Sequence, residues 1–229
     1  GYYGNTAQFT NNGIITVSAG NLSSPASTFI NNGSILVNAG TTTLGNGSYT
    51  NLVNNTGSIV VNGGTLQFTP KETGTTPTWD NNGTLDLQSG TVKFGGFFTP
   101  AEVGNFTRAA GTTVKLIGVA DFGGMTLDLA GTDMATGNPF LGDWSLESAT
   151  LKNATLTTSN ATKILATTGT SSLDNVTIGS DLTTSGSWNI YNGLDLVDGV
   201  TLTAGTSGYY FQGGGTQAIN VLAKPDATP

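Results

Sequence analysis

An Asn-Asn-Gly corner followed by a short alternating strand returns at a near-constant interval through the first part of this chain. It appears as Phe9-Thr10-Asn11-Asn12-Gly13-Ile14-Ile15-Thr16-Val17. It recurs 20 residues on as Phe29-Ile30-Asn31-Asn32-Gly33-Ser34-Ile35-Leu36-Val37. A looser copy runs Val53-Asn54-Asn55-Thr56-Gly57-Ser58-Ile59-Val60-Val61, and a fourth runs Trp79-Asp80-Asn81-Asn82-Gly83-Thr84-Leu85-Asp86-Leu87. A period of about 22 residues matches one rung of a parallel β-helix. Asn-Gly also marks two-residue hairpin turns, the main competing reading. Hairpins need one such turn for every two short strands, roughly every ten residues, whereas a single Asn-Asn-Gly falls here in each rung-length. Gly and Asn tolerate positive φ, which is expected at solenoid corners. Parallel stacking is therefore the expectation.

One rung cannot stand alone. Ordering its backbone costs on the order of 1–2 kcal/mol per residue, and each of its few apolar side chains returns roughly 1.5–3 kcal/mol on burial. Neighbouring rungs must supply the missing hydrogen bonds and cover one another's inner faces. The outer faces account for the many Thr and Asn residues, since Thr suits an exposed strand and stacked Asn forms amide ladders.

The second half repeats differently. Gly142-Asp143-Trp144-Ser145-Leu146 and Gly186-Ser187-Trp188-Asn189-Ile190 stand 44 residues apart, two rung-lengths. Ala149-Thr150-Leu151, Ala154-Thr155-Leu156, Val176-Thr177-Ile178 and Val200-Thr201-Leu202 accompany them. Lys71 to Pro77 and Asp133 to Phe140 read as loops. Thr99-Pro100-Ala101-Glu102-Val103-Gly104 carries a capping Thr, Pro at the first helical position and Glu at the third, the signature of one helical turn. The expected fold is an all-β parallel β-solenoid of about ten rungs with one short helical turn near residues 99–104. It forms a single domain over 1–223, with Asn-Asn-Gly rungs in 1–95, an insertion with the helical turn in 96–110, Thr/Trp rungs in 111–223 and a linker at 224–229.

Composition narrows the chemistry. With no His and no Cys, there is no imidazole base, thiol nucleophile, disulfide or thiolate metal site. With 9% charged residues and a net charge of −7, nothing can build a nucleic-acid-binding face. No window is long and apolar enough to span a bilayer. The start, Gly1-Tyr2-Tyr3-Gly4, lacks the basic and apolar regions of an export leader, so a segment of a longer chain is expected. Gly208-Tyr209-Tyr210-Phe211 echoes that start and points to a larger tandem unit, with neighbouring repeats and head-to-tail copies as partners.

These features resemble the repetitive surface proteins of bacteria, the filamentous-haemagglutinin-like and autotransporter-type adhesins. The Asn-Asn-Gly rungs look like their repeats. Phe98-Thr99-Pro100-Ala101-Glu102-Val103-Gly104-Asn105-Phe106-Thr107-Arg108, with the later Gly142-Asp143-Trp144-Ser145-Leu146, is similar to a module recurring in giant surface proteins. The resemblance implies a right-handed parallel β-helix, an extracellular, cell-surface location and a role as stalk or adhesive filament. It carries over no catalytic residue.

Parallel β-helices also host polysaccharide lyases and glycosidases, and fold alone does not separate the classes. Arg108, the only Arg, has no acidic cluster beside it in sequence. Asp195 with Asp198, Asp143 with Glu147 and Asp174 with Asp181 are the nearest approaches to a glycosidase pair, and they read more simply as solvated acids. The stretch from Gly193 to Gly199 reads as a turn rather than a calcium loop. Thr-x-Thr pairs such as Thr41/Thr43, Thr155/Thr157 and Thr201/Thr203 are too irregular for an ice-binding face. Trp79, Trp144 and Trp188 take equivalent-looking strand starts with core roles. Tyr2, Tyr3, Tyr191, Tyr209 and Tyr210 are the candidates for stacking on surface glycans. No catalytic, metal or cofactor site is expected. The function expected is a structural or adhesive segment, with a polysaccharide-binding or polysaccharide-degrading β-helix as the alternative.

Overall fold

The computed structural model describes residues 7–24, 26–48, 52–72, 74, 76–129, 144–158, 163–214 and 217–223. The expected loop at 133–140, the linker at 224–229, and Tyr2, Tyr3 and Asp143 lie outside the described residues. The chain divides into two compact units, one formed by the described residues up to Ala120 and one by those from Asp121 onward. The fold is a parallel β-solenoid of about eight turns, with 2% helix. Turns are fewer than the ten expected because their length varies: the buried Asn of the repeat recurs at intervals of 20, 24 and 26 residues.

In the first unit each rung contributes three short strands. Rung one holds β1 (Gln8–Asn11), β2 (Ile14–Val17) and β3 (Asn21–Ser24). Rung two holds β4 (Thr28–Asn31), β5 (Ser34–Val37) and β6 (Thr41–Leu44). Rung three holds β7 (Leu52–Asn55) and β8 (Ser58–Phe68), and rung four holds β9 (Trp79–Asn81) and β10 (Thr84–Phe94); β8 and β10 each run round a corner. Rung five holds β11 (Phe97–Phe98), α1 (Pro100–Val103), β12 (Asn105–Arg108) and β13 (Thr113–Leu116), and β14 (Val119–Asp121) begins the next. Like strands stack in parallel: β1 on β4, β7 and β9; β2 on β5, β8, β10 and β12; β3 on β6, β8, β10 and β13. Alternation turns every second side chain inward. The row Ile15–Ile35–Ile59–Leu85–Phe106 shows the register.

The Asn-Asn-Gly corner works from the inside. Asn11, Asn31, Asn55 and Asn81 are buried. Each of the first three donates its Nδ2 to the Oδ1 of the next, at 2.7, 2.7 and 2.6 Å. An amide ladder thus runs inside the stack in addition to the expected outer-face Asn stacking, where Asn32 Nδ2 donates to Asn12 Oδ1 at 2.9 Å. The outer Asn32 accepts from Thr56 Oγ1 at 2.8 Å and remains exposed. The following glycine has a different task from the one its sequence suggests. A Cβ at Gly33, Gly57 or Gly83 would overlap the carbonyl oxygen of the preceding rung's glycine, so close approach rather than positive φ excludes a side chain. Left-handed backbone occurs instead at the next corner, as at Gly40 with φ 68°.

At rung five the helical turn stands where the Asn strand would be. Thr99 caps α1 through its Oγ1, which accepts from Ala101 N at 3.3 Å, while Glu102 Oε2 accepts from Thr99 N at 2.7 Å. The ladder ends there, with Asn81 Nδ2 donating to the Val103 carbonyl at 2.8 Å. Within the stretch 96–110, β11 pairs with β14 and β12 with β10. A layer of rings fills the interior here. Trp79 stacks on Phe68 at 4.8 Å and on Phe94 at 5.2 Å, Phe98 tilts against it at 4.9 Å, and Trp79 Nε1 donates to Gly95 O at 2.9 Å.

The second unit holds β15 (Thr126–Asp128), β16 (Trp144–Glu147), β17 (Thr150–Lys152), β18 (Thr155–Thr157), β19 (Lys163–Ile178), β20 (Leu182–Val197), β21 (Leu202–Ala204), β22 (Gly208–Phe211) and β23 (Ile219–Leu222). All these pairings are parallel. β15 stacks on β18, and β16, β17 and β18 stack on β19; β19 stacks on β20, and β20 on β21, β22 and β23. The two Trp motifs are not equivalent. Ser145 pairs with Ala166 in one sheet, whereas Trp188 pairs with Ser171 in the next. A spacing of 44 residues does not preserve the sheet when offsets vary, as between the 22 of Thr150–Ser172 and the 17 of Ser172–Asn189. Among the described residues no helix is long and apolar enough to cross a membrane.

The ladder sets two expectations. Asn31→Ala strands two buried amide partners and should lower unfolding free energy by about 2–5 kcal/mol, whereas the exposed Asn32→Ala should change it by less than about 0.5 kcal/mol; urea titration reads both. Thr42 is 0% exposed and its Oγ1 has no hydrogen-bond partner among the described residues. Thr42→Val should therefore stabilise the fold, by roughly 1 kcal/mol, in the same titration.

Candidate functional site

Polar chemistry gathers on one sheet face of the second unit and on the corner beside it. Outward positions of β17, β19 and β20 place Lys152, Asp174 and Tyr191 in one row. Lys152 Nζ lies 3.3 Å from Asp174 Oδ2, and Asn192 Nδ2 donates to Asp174 Oδ1 at 2.6 Å. The neighbouring outward row reads Thr150, Ser172, Asn189 and Tyr210. Tyr210 is 53% exposed, and its ring lies over Gly208, two residues back on the same face. Tyr191 and Tyr210 thus share one outer face, next to a partly screened ion pair.

Tyr209 goes elsewhere. It pairs with the fully buried Trp188 in an inward row, and its hydroxyl hydrogen-bonds Thr184 Oγ1, which also lies 2.9 Å from Ser207 Oγ. Of the three candidate tyrosines among the described residues, two face out and one ends a core row. Burial pushes the Tyr209 phenol above its ordinary 10.0, opposed by its hydrogen bonds to Thr184 and Ser207.

The adjacent corner is turned by asparagines in the left-handed region, Asn153 at φ 50° and Asn175 at φ 56°. Asn175 Nδ2 donates to Asn153 Oδ1 at 2.8 Å, and Asn153 Nδ2 donates to Asp121 Oδ1 at 2.8 Å. Gly123, Gly124, Thr155 and Thr177 line an open groove along this second ladder. Its sequence signal was available in Asn153-Ala154-Thr155-Leu156 and, 22 residues later, Asn175-Val176-Thr177-Ile178.

The acidic candidates are occupied separately. Asp195 Oδ1 accepts from Asn220 Nδ2 at 2.8 Å and Asp181 Oδ1 from Thr201 N at 2.7 Å. Among the described residues, no three acidic side chains gather where a metal ion would be held. Arg108 turns inward, in the row Val17–Val37–Val61–Leu87–Arg108. It is 9% exposed, and its Nη2 donates to Thr112 O at 2.8 Å. Threonines form a column that spacing alone did not reveal: Thr41, Thr65, Thr91 and Thr113 stack in register. Its companion column reads Thr43, Gln67, Lys93 and Lys115, so paired threonines do not recur on every rung.

Comparison with protein-family models, curated proteins and solved structures gives no match to this chain.

A neutral phenol held in the folded state, with its folded pKa raised above the unfolded value, contributes stability that is complete below about pH 10 and is lost as pH rises through the folded pKa. Unfolding free energy should therefore fall above about pH 10, and Tyr209→Phe should flatten that part of the profile; chemical denaturation across alkaline pH measures it.

Proposed function

We propose that this chain is a structural or adhesive segment of an exported bacterial cell-surface protein, a stiff β-helical stalk or filament whose partners are neighbouring repeats and further copies head to tail. The observation that carries the reading is the buried amide ladder, Asn11–Asn31–Asn55–Asn81. Each of the first four rungs is joined to the next by side-chain as well as backbone hydrogen bonds, so resistance to deformation is built into these steps of the stack. The resemblance of the Asn-Asn-Gly rungs to adhesin repeats supports the surface location. The alternative is a polysaccharide-binding or polysaccharide-degrading β-helix. Tyr191 and Tyr210 on one outer face favour its binding form, since exposed aromatic rings stack on apolar sugar faces.

Two measurements separate the readings. Pulled by its ends in a force spectrometer, the chain should lengthen in successive steps of about 70–90 Å, one rung of extended backbone each; a single all-or-none event contradicts a rung-wise stalk. Incubated with bacterial and plant polysaccharides, it should release no product. Turnover abolished by Asp174→Asn or Asp195→Asn makes it an enzyme. Saturable glycan-array binding lost in both Tyr191→Ala and Tyr210→Ala makes it a binding module.

A further inference from the structure

The sequence holds six Asn-Gly pairs: Asn12-Gly13, Asn32-Gly33, Asn46-Gly47, Asn62-Gly63, Asn82-Gly83 and Asn192-Gly193. Each is chemically labile in an unrestrained chain, because glycine puts no side chain in the way of its own amide nitrogen as it approaches the carboxamide carbon of the preceding asparagine. Attack of that nitrogen on Cγ closes a cyclic imide and expels ammonia, which carries away the glycine N–H proton. Water then opens the ring to aspartate or isoaspartate. The reaction needs a glycine N–H able to give up its proton and a backbone able to rotate toward Cγ.

The fold removes these freedoms at five of the pairs. Gly33 N donates to Asn11 O at 3.0 Å and Gly83 N to Asn55 O at 2.8 Å, each across a rung junction. Gly13 N donates to Asn11 Oδ1 at 3.1 Å, and Gly193 N to Gln217 Oε1 at 3.1 Å. Asn192 is held further through its Nδ2, which donates to Asp174 Oδ1 at 2.6 Å. Gly63 lies inside β8, where a Cβ would stand 2.4 Å from Asn38 O, so its backbone is fixed against the preceding rung. Asn46-Gly47 is different. It sits in the turn after β6 and Gly47 is exposed. The Gly47 N–H donates to no acceptor among the described residues, and a Cβ there would meet no described atom within 4 Å. Ser48 N donates to Asn46 Oδ1 at 3.0 Å. That donor sits where negative charge gathers as nitrogen attacks Cγ, so it stabilises the tetrahedral intermediate.

We propose that Asn46 is a site of spontaneous deamidation, the position at which the folded chain exchanges a carboxamide for a carboxylate while the asparagines of its stacked corners are preserved. The product changes the local charge. Residues 1–70 contain no Asp, Glu, Lys or Arg, so the new carboxylate, ionised at neutral pH, is the one charged side chain in that stretch. At Asn32 or Asn82 the isoaspartate product would lengthen the backbone at corners where a glycine Cβ already has no room, and the register of the stack would be lost. Confined to an exposed turn, the same chemistry marks the age of the molecule without loosening its rungs.

Ageing the purified chain in heavy-oxygen water tests it, with the incorporated label located by proteolysis and peptide mass spectrometry. The folded chain should take up label at Asn46 at least about tenfold faster than at the other five asparagines. The rate should climb as pH rises, because the glycine nitrogen reacts after losing its proton. Gly47→Ala, whose Cβ enters open space, should keep the wild-type melting temperature and slow labelling at Asn46 by about tenfold. In concentrated urea the other five should approach the Asn46 rate, which assigns their protection to the fold rather than to local sequence. Labelling at any of those five as fast as at Asn46 in the folded chain overturns the proposal. So does an unlabelled Asn46 over a span in which the urea-unfolded chain is labelled, a Gly47→Ala rate equal to wild type, or protection at the other five that persists in urea.

Discussion

Parallel stacking at fixed register is the constraint on which the rest of this structure depends. Among the described residues no strand finds its hydrogen-bond partner in its own rung, so the interior of a turn is completed by the turns stacked on it. Backbone ladders alone tolerate slippage by two residues, because such a shift restores the same inward and outward faces. The buried asparagines remove that freedom. Sliding one rung of the first unit would separate Nδ2 from Oδ1 at two junctions and leave amides unpaired in the core, at about 1–3 kcal/mol each. The four carboxamides add modest net stability when made, and a large penalty when misaligned.

The two units solve the corner problem with different chemistry. The first brings backbones so close at Gly33, Gly57 and Gly83 that a Cβ has no room. The second accepts the strain of left-handed φ at Asn153 and Asn175 and offsets it with side-chain hydrogen bonds from rung to rung. Between these styles, α1 satisfies the last amide of the first ladder with a main-chain carbonyl, Val103 O. The aromatic layer around Trp79 lies in the same rungs and seals the interior where the Asn strand gives way to a helical turn.

Much of this was legible in the sequence. The Asn-Asn-Gly period foretold parallel rungs, and Thr99, Pro100 and Glu102 foretold a capped turn. Which side of the wall the Asn residues occupy was not legible, since both members of Asn11-Asn12 are polar and only stacking distance decides which one the core can satisfy. Trp144 and Trp188 misled because corner lengths vary, so a constant spacing lands on different sheets. Tyr209 and Tyr210 show the limit of local reading most sharply. Adjacent residues on a strand must point to opposite faces, so the pair could never act together on one ligand, but which of the two faces outward depends on the partner, Trp188 or Asn189, that the register delivers. The threonine column from Thr41 to Thr113 was hidden for the same reason: offsets of 24, 26 and 22 residues look irregular until the strands are stacked.

Specificity placed inside the stack leaves the outer faces free to serve other ends. The inward rows are tightly bound to their positions: an apolar row such as Ile35–Ile59–Leu85 tolerates little change in volume, and the amide row tolerates no loss of a partner. The outer rows carry Thr, Ser, Gln, Lys, Asp and Tyr at positions that are equivalent in register, so no packing requirement distinguishes them. Charge is distributed accordingly. It is absent from the first seventy residues, where the rungs are most regular, and begins at Lys71. Uncharged regular rungs would be an aggregation hazard in an isolated sheet. In a solenoid that hazard is lessened wherever a strand is paired on both sides, as β5 is with β2 and β8.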